Sequence, residues 1–108
     1  MIDLNRLADL RSEIGEEGFT EVADLFVEEM RGAMDHLIRN PLAVTQDDLH
    51  FLRGSAANLG LTGFVTCCAT AEQRICASKP VDIPALVKTY EASLAAIASI
   101  LSDRPETI

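Results

Sequence analysis

Apolar residues recur at intervals of three and four along almost the whole of this chain and never settle into sustained alternation, so amphipathic helices are the regular structure it can build. Strands are not expected. The breakers are few and clustered at Gly15 to Gly18, Asn40-Pro41, Gly60 to Gly63 and Lys79-Pro80 to Pro84. They divide the chain into five helical pieces.

The first piece, Leu4 to Ile14, has Asp3 as its N-cap and aligns Leu4, Leu7, Leu10 and Ile14 on one side, short enough to act as a lid. The second, Glu16 to Arg39, is the longest, with Phe19, Val22, Phe26, Met30, Ala33 and Leu37 on its stripe, widened by Val27, Met34 and Ile38. Thr45 and Asp48 form a capping-box pair ahead of the third, whose stripe is Leu49, Leu52, Ala56 and Leu59 and which ends near Gly60. A fourth piece after Thr62 buries Phe64, Cys67, Cys68, Ala71 and Ile75. The fifth follows Asp82 as N-cap and presents Ile83, Leu86, Val87, Tyr90, Leu94, Ile97 and Leu101. Short connections favour antiparallel neighbours, so the expected fold is all-α: an up-down-up-down four-helix bundle with a short additional N-terminal helix. All 108 residues are expected to form one domain, frayed from about Asp103.

Composition narrows the function. Hydrophobic residues make up 48% of the chain, enough for a core, while nine Lys and Arg against seventeen Asp and Glu leave a net charge of −8. That field repels phosphate backbones and anionic lipid, so neither nucleic acid nor a membrane surface is an expected partner. The uncharged stretch from Gly54 to Ala71 is too interrupted by glycine and hydroxyl residues to span a bilayer, and no secretion signal opens the chain. Three cysteines, two of them adjacent, support neither a disulfide framework nor a zinc spacing. A reduced, cytoplasmic, monomeric protein is expected.

Of the two histidines, His36 sits late in the second piece as an ordinary surface residue. His50 differs. At about 100° per residue, His50, Arg53, Gly54 and Ala57 share a face turned away from the buried stripe, and Leu61 continues it. A solvated helix face normally carries long charged side chains, so this one resembles a docking surface. Gly54 costs about 1 kcal/mol relative to Ala in a helix interior. Because helical Cβ atoms tilt toward the N-terminus, a side chain at 54 would lean over the His50 ring, and its absence leaves the imidazole open. Arg53, three residues on, is placed to pair with an anion held on that ring. Reflection about a turn near residues 61 and 62 sets residue 50 level with about 73, so Glu72 or Arg74 is expected to face it.

The run His50-Phe51-Leu52-Arg53-Gly54-Ser55-Ala56-Ala57-Asn58-Leu59-Gly60 resembles the histidine-containing phosphotransfer (HPt) domain family, whose pattern is His-x-Leu-Lys-Gly-Ser/Ala-Ser/Ala-x-x-Leu-Gly. Arg53 stands where that family usually has lysine, keeping the charge and changing its reach. The resemblance implies an antiparallel four-helix bundle in which His50 accepts a phosphoryl group from the aspartyl phosphate of a receiver domain and passes it to a second receiver. Response-regulator receivers and a hybrid histidine kinase are the partners it implies. No metal or cofactor of the chain's own is expected, since Mg²⁺ resides on the receiver.

Other readings are weaker. An autophosphorylating kinase lacks its Gly-rich nucleotide loop here, and a di-metal bundle needs two inward Glu-x-x-His copies where Asp47 and His50 provide a single outward pair. Ser55 and the three cysteines are expected to point toward core stripes with no base beside them, against nucleophilic catalysis. A non-transferring adaptor or inhibitor that docks receiver domains is the remaining alternative, and the intact His50 argues against it.

Overall fold

The computed structural model describes residues 2–102, and the expectations for the Leu101 side chain and the tail from Asp103 fall outside that described part. Four helices occur there: α1 (Leu4–Arg39), α2 (Gln46–Asn58), α3 (Thr62–Cys76) and α4 (Ile83–Ser102), with a single 3-10 turn at Pro41–Ala43. No strand is present among the described residues. Helices α1 and α3 each pack on both α2 and α4, which closes a four-membered ring around one core. Phe19, Met30, Met34 and Leu37 of α1 meet Leu49, Leu52 and Ala56 of α2, Phe64 and Cys68 of α3, and Leu86, Tyr90 and Ile97 of α4. The Phe64 and Tyr90 rings tilt at 51° with centroids 5.6 Å apart.

The first two expected pieces meet within α1. Gly15, at φ 78° and ψ 169°, interrupts the helical geometry in a region open essentially only to glycine. The chain turns there, and Arg11 stacks over the Phe19 ring at 4.7 Å across the break. Residues 4–14 thereby reach the α2–α3 turn, where the Asp3 amide donates to the Gly60 carbonyl at 2.7 Å and Arg6 donates to both oxygens of Asn58 at 3.2 Å. Only Leu7 and Leu10 of the first stripe are buried. Leu4, Ile14 and, further along α1, Ile38 are exposed, because one stripe of a short helix covers one neighbour and the flanking positions stay in solvent.

The expected caps hold the starts of α1, α2 and α4. Asp3 accepts from the Arg6 amide, Thr45 and Asp48 form the reciprocal box, and Asp82 accepts from the Ala85 amide. Helix α2 ends in a Schellman motif, with the Leu61 amide on the Ala56 carbonyl, the Gly60 amide on that of Ala57, and Gly60 at φ +70°. This corrects one expectation. Leu61 is folded back into the core as the apolar partner of that motif, so it is buried and does not extend the exposed face.

In α4, residues 83–100 average a hydropathy of 1.2, so by length and composition this stretch would suit a membrane better than 54–71 does. Here it is the fourth wall of the bundle, burying Leu86, Tyr90, Ser93 and Ile97 while Lys88 and Glu91 remain exposed.

Candidate functional site

Helix α2 presents its two faces as the periodicity requires. Leu49, Leu52, Ser55 and Ala56 are buried, while His50, Gly54 and Ala57 are exposed. The His50 side chain is 72% exposed one turn into the helix, behind a first turn made acidic by Asp47 and Asp48. A Cβ built on Gly54 would meet nothing within 4 Å. The space above the ring is therefore open, and a methyl group alone would not close it; only a longer side chain would crowd the imidazole.

Helix α3 brings the third participant. Glu72 is 12% exposed, and its Oε1 lies 3.1 Å from Arg53 Nε and 4.0 Å from His50 Nδ1. Arg53 Nη2 donates to His50 Nδ1 at 2.9 Å. The Arg53–Glu72 approach lacks hydrogen-bond alignment, so the two are held by charge rather than by a directed bond. Arg74 takes no part. Two residues from Glu72, it is rotated by about 200° on the helix, and its Nε donates to the Pro80 carbonyl to tie down the α3–α4 connection. Of the two flanking residues expected opposite His50, Glu72 is the one that faces it.

An open groove of about 460 Å³ continues from Arg53 and Glu72 along the α2–α3 seam, lined further by Gln46, Ala69, Gln73 and Cys76. Sequence reasoning did not find this groove, although the reflection that levels residue 50 with 73 also sets Gln46 beside the end of α3. It also passed over Phe51, a large apolar side chain left 43% exposed next to His50. Its signal was a phenylalanine off the buried stripe.

Other candidate chemistry does not assemble. Ser55 is buried, and Cys68 is buried with its thiol pushed up to about 12, by burial first and by Cys67 and Glu72 after it. Cys76 corrects the expectation that all three cysteines face the core, since it is exposed at the end of α3, where the stripe runs out. Among the described residues no group of three metal-ligating side chains converges.

The family model described as Hpt domain matches residues 21–100, about three quarters of the chain and all of the site. The chain belongs to the Hpt domain family. Membership makes it a phosphocarrier module of two-component phosphorelays. Hpt domains work with receiver domains and histidine kinases. No curated protein and no solved structure matches the chain. The stretch through Gly15 lies outside the matched residues, and the Arg6–Asn58 and Asp3–Gly60 contacts tie it to the matched α2–α3 turn.

Proposed function

We propose that His50 is the phosphoacceptor of this Hpt domain, taking a phosphoryl group from the aspartyl phosphate of one receiver and passing it to another. The observation that carries this reading is a 72% exposed imidazole under open space at Gly54, with one guanidinium in contact. His36, the other histidine, is also exposed, but it lies in the last turn of α1, away from Arg53 and Glu72 in sequence and element.

Transfer here is chemistry by positioning. The Nε2 lone pair of neutral His50 attacks phosphorus in line, the bond to the receiver's aspartate oxygen breaks, and the aspartate leaves as a carboxylate. Arg53 offers charge to the equatorial oxygens, while the receiver supplies Mg²⁺. Exposed Phe51 and Ala57 give the receiver apolar contact around the ring.

The test is incubation with a phosphorylated receiver. The wild-type chain is expected to take up a label that is acid-labile and base-stable, and His50→Gln to take up none while keeping its helical circular dichroism. Label retained by that variant would remove His50 from the mechanism. Tight receiver binding with no label on the wild type would favour an adaptor.

A further inference from the structure

The arrangement at His50 raises a chemical problem for transfer. Guanidinium has only donors, so the 2.9 Å contact from Arg53 Nη2 requires Nδ1 to be the acceptor. A neutral imidazole carries one proton, which then sits on Nε2. That proton occupies the lone pair with which Nε2 would attack phosphorus. A neutral ring engaged in this contact has its Nε2 lone pair blocked.

We infer that Arg53 and Glu72 form a tautomer switch on His50, in which Arg53 holds the resting ring inactive and Glu72 is the positioning residue that takes over Nδ1 when Arg53 leaves. This rests on the phosphoacceptor reading of His50. Glu72 is suited to the role because its carboxylate is largely buried, fixed on a second helix, and already 4.0 Å from Nδ1. Arg53 is suited to leave because its tie to Glu72 is poorly aligned and its side chain is three times as exposed, 36% against 12%. An arriving phosphoryl group draws the guanidinium onto its oxygens. The ring then exchanges protons with solvent, losing the one on Nε2 and gaining one on Nδ1, and Glu72 Oε1 accepts the new Nδ1–H. Attack by Nε2 forms the N–P bond and releases the aspartate, and the Nδ1 proton stays on the phosphorylated ring beside the Glu72 carboxylate. The charge of the incoming phosphoryl group thus unlocks its own acceptor.

The tautomer can be read on the unphosphorylated, ¹⁵N-labelled chain by two-bond ¹H–¹⁵N correlation at a pH where the ring is neutral. Wild-type His50 is expected to show Nε2–H, Arg53→Ala to move to Nδ1–H, and the double variant Arg53→Ala/Glu72→Ala to return to Nε2–H. Should the double variant fail to fold, Arg53→Ala/Glu72→Gln replaces it and is expected to lie between. Nδ1–H in the wild type, or an Arg53→Ala spectrum like the wild type's, would overturn the switch. Phosphoramidate, a donor that needs no receiver, is expected to label Glu72→Ala about tenfold more slowly than wild type, the lower end of what losing a carboxylate that orients a histidine costs; equal rates would remove Glu72 from it. These readouts do not depend on receiver delivery. The expected tautomers with no receiver transfer would sink the relay reading alone, and transfer with unexpected tautomers would sink the switch alone.

Discussion

A single missing side chain decides access to the imidazole. At Gly54 an added methyl meets open space, so Gly54→Ala is expected to stabilise the chain by up to about 1 kcal/mol in thermal unfolding, the helix-propensity difference, while transfer persists. Gly54→Gln is expected to keep the helix and depress transfer, because its longer chain reaches back over His50; normal transfer by that variant would remove the steric account of the glycine. Arg53→Ala should shorten the lifetime of the phosphorylated chain, measured as loss of label with time, and Arg53→Lys should retain most of it. At this scale, His50, Arg53 and Gly54 were legible because helical geometry alone puts them on one exposed face. The choice between Glu72 and Arg74 was not, since adjacent helices can meet along either edge and only the packed α2–α3 seam fixes which one. Leu61 was misplaced because helix periodicity was extended past Gly60, where the chain has already reversed.

Helix α2 holds His50 in place through its two ends. Thr45→Ala removes one half of the capping box, with an expected loss of about 1 kcal/mol in denaturant unfolding. Gly60 is under a stronger constraint, being at φ +70° with its Cβ position only 2.7 Å from the Asp3 carbonyl oxygen. Gly60→Ala therefore has to strain the backbone and displace residues 3–6, and is expected to cost more than the cap; an unchanged melting temperature would contradict the contact. The elements themselves were readable where caps, glycines and stripes agreed, as at both ends of α2. The groove along the seam was not, since it exists only between two packed helices.

For the molecule as a whole, the ring of four helices follows from five amphipathic stripes joined by connections too short for anything but neighbours. Less legible was the route of residues 4–14, which depends on the angle at Gly15 and on Arg6 finding Asn58. A chain beginning at Glu16 loses the burial of Leu7 and Leu10, about 2 kcal/mol each, and is expected to melt earlier yet still transfer. Loss of transfer with the helices intact would show that this stretch acts on the site. The central claim is that phosphate passes through one imidazole, and site-resolved mass spectrometry of the receiver-phosphorylated chain, kept at alkaline pH, tests it most directly. The phosphoryl group is expected on His50 and absent from His36; its appearance on His36, or on a residue other than histidine, would contradict the account.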